Sequence, residues 1–329
     1  MVWTEALPWH AEAWDQLRRR EEQGRLPHAL LITGLPGLGK RSLARRLALT
    51  LLCERRGAEF RPCLQCRSCH LLVQGAHPDL FVVEPEERGK QIGIDQVRAL
   101  GERLSLRSQY GRRLGLISPA EAMTVAAANA LLKTLEEPPL GALLVLTSAR
   151  PMLLPATIRS RCQQLALVAP APPQAREWLR QLGRPEAEQT LGLAQGAPLQ
   201  ALQLLEAGAL ERWRALLATL EQLRSGRIGV VAAAMQWREA GRELIPLLQA
   251  VCLDLARLVA GAEARYDESG QLRKLAAGLD AYELHVYLEQ LLEQRRHLEH
   301  ALNESLVLES AFGGWLALVQ KSRTAEARA

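Results

Sequence analysis

The stretch Gly34-Leu-Pro-Gly-Leu-Gly-Lys-Arg-Ser42 constrains this chain more than any other. It lies between an apolar run (Ala29, Leu30, Leu31, Ile32) and a helical run (Leu43, Ala44, Leu47, Ala48), the strand, loop and helix setting that a phosphate-cradling loop requires. In such a loop the glycines let successive backbone N–H groups converge on phosphate oxygens, Lys40 reaches the outer phosphates, and the helix start adds a favourable partial charge. The chemistry also requires Ser or Thr directly after the lysine, to ligate the Mg²⁺ that bridges the phosphates. Arg41 stands there instead. Ser42 comes one residue late, rotated about 100° around the helix. The expectation is a nucleotide-binding fold with a degenerate phosphate loop, in which Gly34, Gly37, Gly39 and Lys40 are what is left of the binding groups. The plainer alternative is a Gly-rich turn carrying a chance lysine.

Apolar strand-like runs at 29–33, 80–83, 114–117, 143–146 and 164–168 alternate with helical segments. That alternation predicts a mostly parallel five-stranded sheet covered on both faces. At the end of the third run a nucleotide-hydrolysing protein carries an acidic pair, one carboxylate for the metal and one for the attacking water. Here Ser118-Pro119 follows, and Glu84 and Glu121 have the wrong offset from the strand ends. Two separate defects point to an inactive site. The backbone N–H donors and Lys40 would still allow phosphate or ADP contact without the metal, but ATP or ADP is not expected to be held as in an ATPase.

Cys53, Cys63, Cys66 and Cys69 lie between the first two strands. Thiolates at two-residue spacing on a tight turn can wrap a tetrahedral ion, and four sulfurs leave no open position, so a structural Zn²⁺ is expected. Isolated buried or redox cysteines are the alternative, with His70 and His77 as fallback ligands. Cys162 and Cys252 stand alone and read as core residues. Trp3, Trp9 and Trp14, around a short amphipathic helix, read as anchors. At 329 residues the chain suggests two or three domains. Its net charge of +5 permits nucleic-acid contact without demanding it. Met1 to His10 lacks a signal-peptide pattern and no run of roughly 18 apolar residues occurs, so a cytoplasmic protein with no membrane partner is expected.

Ala169-Pro-Ala-Pro-Pro173 reads as a stiff linker. It divides a core domain (1–168) from a small helical lid (169–207), and a helical collar (208–329) follows. In the collar Trp213, Leu216, Leu217, Leu220 and Leu223, and then Leu244, Leu248, Val251, Leu255 and Leu258, recur at helical spacing. Breaks near Ser225-Gly226 and from Gly261 to Gly270 separate the helices, and the polar tail from Lys321 reads as frayed.

Taken together, Arg25-Leu-Pro-His-Ala29, the phosphate loop, the four cysteines, the block Asn129-Ala-Leu-Leu-Lys-Thr-Leu-Glu-Glu-Pro-Pro139 and the triplet Ser160-Arg161-Cys162 carry a specific likeness. The chain resembles the delta-prime subunits of the bacterial DNA polymerase III clamp loader, within the AAA+ superfamily. The resemblance is dense over residues 25–162 and rests on helical character beyond. It implies an α/β AAA+ P-loop core with a small helical lid and an all-α collar that joins five subunits in a ring. It also implies gamma/tau-type and delta-type ATPase and partner subunits, with the sliding clamp and primed DNA engaged through the complex. The arginine of the triplet, Arg161, would act as an arginine finger, a planar, permanently charged group delivered into a neighbour's ATP site; without the resemblance it reads as an arginine pairing with a local carboxylate at a strand edge. In the lid, the position matching a second phosphate-sensing arginine is Leu199. The implied function is therefore that of a structural, non-hydrolysing subunit. The alternatives are an active AAA+ motor subunit of the same complex and a nucleic-acid binder built on the zinc module.

Overall fold

A computed structural model describes residues 6–298 and 304–326, except 58, 88, 266, 268 and 269. Trp3 lies outside the described residues. The chain divides into two compact units, one of residues 1–185 and 196–200, the other of residues 186–195 and 201–329.

The first unit is built on five strands: β1 (Ala29–Thr33), β2 (Leu80–Val83), β3 (Arg113–Ile117), β4 (Ala142–Ser148) and β5 (Gln163–Ala166). All pair in parallel, in the order β2-β3-β4-β1-β5, so the α/β fold class expected from the sequence is the one observed. Its helices are α1 (Ala11–Glu22), α2 (Lys40–Leu51), α3 (Arg67–Val73), α4 (Ile94–Ser105), α5 (Val125–Glu136), α6 (Ala156–Arg161) and α7 (Pro172–Gln181). The period of two along each strand sorts the core into two layers. Leu30, Ile32, Leu114, Leu116, Leu143 and Val145 face α1, α2 and the cysteine module. Ala29, Leu31, Ile117, Leu144 and Leu146 face α4, α5 and α6. With both faces covered, β1 and β3 are buried at every position, which is why they read as unbroken apolar runs.

Pro172 and Pro173, read in the sequence as part of a linker, instead open α7, where a missing N–H costs nothing. After α7 come α8 (Pro198–Glu206), α9 (Ala209–Arg224), α10 (Val230–Gln236), α11 (Gly241–Val259), α12 (Gln271–Ala276), α13 (Ala281–Leu298) and α14 (Glu304–Glu326). The second unit's core holds Trp213, Phe312, Trp315 and Tyr287, and the polar tips of Trp315 and Tyr287 find backbone acceptors. Trp315 Nε1 donates to Leu220 O at 3.2 Å and Tyr287 Oη to Ala311 O at 2.7 Å. The polar tail from Lys321 continues α14 to Glu326 rather than fraying: Ser322 is buried and Lys321 pairs with Glu283 at 2.9 Å. Among the described residues, no helix is long and apolar enough to cross a membrane.

Candidate functional site

Parallel register brings the C-terminal ends of β1, β3 and β4 to one edge, since Thr33 pairs with Ser148 and Ile117 with Leu146. Ligands of open α/β sheets bind at that edge. Here it carries the phosphate loop after Thr33, Ser118 after Ile117, and Thr147 and Ser148.

In the loop Gly37 lies at φ +74° and Gly39, the N-cap of α2, at φ +77°. Those left-handed conformations suit glycine. The chain's own groups crowd it from several sides. A Cβ on Gly37 would lie 2.2 Å from Gln200 N, one on Gly39 2.4 Å from Leu7 Cδ1, and one on Gly34 2.6 Å from Leu167 O. Leu199, the position matching the second sensor arginine, donates its N–H to Gly37 O at 3.2 Å. Leu38 is fully buried, and its carbonyl accepts from Trp9 Nε1 at 2.9 Å and His10 Nε2 at 2.7 Å. Burial pushes the His10 pKa down, Arg46 adds to the effect, and the bond to Leu38 opposes it.

Lys40 does not extend past the loop. Its Nζ donates to Gly34 O and Leu35 O, each at 2.8 Å, so two of its three donors are spent on the loop's own carbonyls. Burial lowers its pKa, while the nearby Glu121 carboxylate works the other way. Glu121 Oε1 accepts the Ala149 N–H at 2.9 Å, and Oε2 is buried with no hydrogen-bond partner among the described residues. Arg41, in the place of the metal-binding hydroxyl, is ion-paired to Glu84, the residue that follows β2, and Arg45 approaches the same carboxylate at 3.7 Å. Where the acidic pair belongs, Thr147 Oγ1 instead donates to Ser118 Oγ at 2.8 Å. Glu84 and Glu121 thus do lie by the loop, Glu84 taken up by Arg41 and Glu121 bonded through Oε1 to the Ala149 N–H.

The cysteine module forms a compact sulfur cluster. The Sγ atoms of Cys53, Cys63, Cys66 and Cys69 all lie within 4.8 Å of one another, with Cys53 and Cys66 at 4.0 Å. A tetrahedral ion with Zn–S bonds of about 2.3 Å would hold its sulfurs about 3.8 Å apart, so the four residues fit such an ion after a small contraction. Backbone N–H groups already aim at the sulfurs: Cys63 N at Cys53 Sγ (3.2 Å), Cys66 N at Cys63 Sγ (3.3 Å) and Cys69 N at Cys66 Sγ (3.4 Å). Such bonds, led by the one from Gln65, bring the Cys63 thiol down to about 6, whereas burial pushes Cys53 and Cys69 up. Outside the cluster, Ser68 Oγ meets His77 Nε2 at 2.9 Å and donates to Leu52 O at 2.6 Å, and His77 Nδ1 accepts from Asp79 N at 3.1 Å. His77 therefore ties the module to the start of β2 and is not drawn into the sulfur cluster. Cys162 and Cys252 are buried away from it, as expected for core residues.

Arg161 ends α6 at the surface, with 37% of its side chain exposed. Its Nη2 pairs with Glu136 Oε1 at 2.7 Å and its Nη1 donates to Thr157 O at 3.1 Å. The adjoining turn exposes Met152 and Leu153.

Sequence reasoning set aside Glu84 and Glu121 and gave Glu136 no role. A carboxylate just beyond a strand's C-terminal end was visible for Glu84, but the strand order that brings it to Arg41 was not.

The family described as DNA polymerase III, delta subunit matches residues 9–171, and the one described as DNA polymerase III, delta subunit, C terminal matches residues 207–315. A DNA polymerase III subunit delta' from Pseudomonas aeruginosa is 36% identical over 94% of this chain and 97% of its own length. Its namesake from Yersinia pestis is 34% identical over 94% of each chain. A DNA polymerase III subunit tau from Salmonella typhimurium is 29% identical over 87% of this chain and 49% of its own.

Proposed function

Since the chain belongs to the DNA polymerase III delta-prime subunit family, we propose that it is a structural, non-hydrolysing subunit of the clamp loader. In the cytoplasm it would assemble with gamma/tau-type and delta-type subunits in a five-membered ring. That ring would load the sliding clamp onto primed DNA at the expense of ATP. Residues 1–168 would act as the AAA+ core, 169–207 as the lid and 208–329 as the collar through which the ring forms. Arg161 would enter the neighbouring ATPase site and spread the charge of the transferring phosphoryl group. A Zn²⁺ on Cys53, Cys63, Cys66 and Cys69 would brace the core and take no part in the chemistry.

One contrast carries this reading. Lys40, which would reach this chain's own nucleotide, is spent on loop carbonyls, and Arg41 stands on Glu84 where a metal-binding hydroxyl would be needed, while Arg161, itself paired with Glu136, ends α6 with 37% of its side chain exposed. The exposed Met152 and Leu153 beside α6 suit a protein neighbour covering that end. Magnesium-dependent ATP turnover by the purified chain tests the first half. None above background is expected, and robust turnover abolished by Lys40→Ala would favour a motor subunit instead.

A further inference from the structure

We propose that Glu136 is the positioning residue of Arg161, holding the guanidinium in one surface orientation until the more negative phosphates of a neighbour replace it. This rests on the reading of Arg161 as a group donated in trans.

Glu136 is the last residue of α5, where a carboxylate meets the negative end of the helix dipole. Helix stability gives no reason for an acid there, whereas a cation at 2.7 Å does. The last turn of α6 offers two arginines, and only one is held this way. Arg159 is two positions from Arg161 and so about 200° around the helix. Its Nη1 reaches Met152 Sδ at 3.1 Å, a weak acceptor, and its Nε has no hydrogen-bond partner among the described residues. Arg161 has a carboxylate on Nη2 and a helix carbonyl on Nη1. Of the five guanidinium N–H donors, these two bonds leave three for a partner.

Strength decides how the pair can act. With 37% and 49% of the two side chains exposed, water screens the attraction. The contact is strong enough to favour one side-chain orientation and too weak to keep the guanidinium from a triphosphate. Phosphate oxygens can take the guanidinium through two parallel charge-assisted bonds and carry more negative charge than the single Nη2–Oε1 contact to Glu136. Glu136 therefore shortens the search of a long, flexible side chain without competing for it in the transition state.

A double-mutant cycle in the reconstituted clamp loader, with clamp and primed DNA and the other ATPase sites inactivated, tests the pairing through kcat and KM for ATP at the one site that faces this subunit. Glu136→Gln keeps the length and removes the charge. It is expected to lower kcat about two- to fivefold, the range of an exposed pair, with KM little changed. Arg161→Ala should cost far more, and Glu136→Gln on top of it should cost nothing further. Combined with Arg159→Ala, the Glu136→Gln loss should persist in full. The melting point of the Glu136→Gln chain should be unchanged or raised, which separates positioning from a folding defect. A wild-type rate for Glu136→Gln, or a loss that multiplies with that of Arg161→Ala, would overturn the role of Glu136 alone. A wild-type rate for Arg161→Ala would remove the donated arginine itself.

Discussion

Gly313 and Gly314 sit side by side in α14 and answer to opposite constraints. Among the described residues a methyl group on Gly313 would meet nothing within 4 Å, whereas one on Gly314 would lie 2.7 Å from Cε2 of the Tyr287 ring. That ring is buried and fixed by its bond to Ala311 O, so it has little room to yield. Alanine gains up to about 1 kcal/mol over glycine inside a helix, and overpacking a tight site costs about 1–3 kcal/mol. Gly313→Ala should therefore raise the urea midpoint and Gly314→Ala should lower it. Equal shifts in the two would contradict the close packing of α13 on α14. The same scale of reasoning explains Arg41. It removes a metal ligand and also brings a cation to Glu84, so a single Arg41→Thr change would restore one hydroxyl and leave Ser118 where an acid is needed.

At the level of elements, the inner strands β1, β3 and β4 were legible from the sequence because parallel strands buried on both faces are largely continuous apolar runs, and the edge strand β2 because its residues are apolar although part-exposed. The edge strand β5 was the least regular, since Gln163 and Gln164 are exposed and only Leu165 and its neighbours mark it. What stayed hidden were pairings across the fold. Arg41 and Glu84 are 43 positions apart in the chain, and nothing local to either announces the other. The break between α10 and α11 is marked only by Gly241 at the start of α11, and the sequence read no boundary there. The cysteine module was the reverse case, its spacing alone foretelling the cluster, though not the support of Ser68 by His77. If the cluster holds a structural ion, the purified chain carries one zinc, and Cys66→Ser loses it. Metal removal should then raise hydrogen exchange in residues 53–77 while β1 and β3, buried by both core layers, stay protected. No change in exchange on chelation would leave the module without a bracing role.

At the scale of the whole molecule, the positive charges are divided by use. Lys40 and Arg41 serve the fold that surrounds the loop, and Arg161 is held by a contact weak enough to be exchanged. The net charge of +5 is too modest to define a partner, and the arrangement of a few cations says more than their sum. The proposed division of labour predicts a chain inert toward ATP alone yet needed for hydrolysis in the assembly. The most direct measurement is single-turnover ATP hydrolysis by the reconstituted clamp loader carrying Arg161→Ala. The ring should still assemble, and the one site facing this subunit should slow by about 10³-fold or more, the usual cost of losing an arginine finger. Hydrolysis at the wild-type rate at every site, in a ring that has assembled normally, would contradict a donated Arg161.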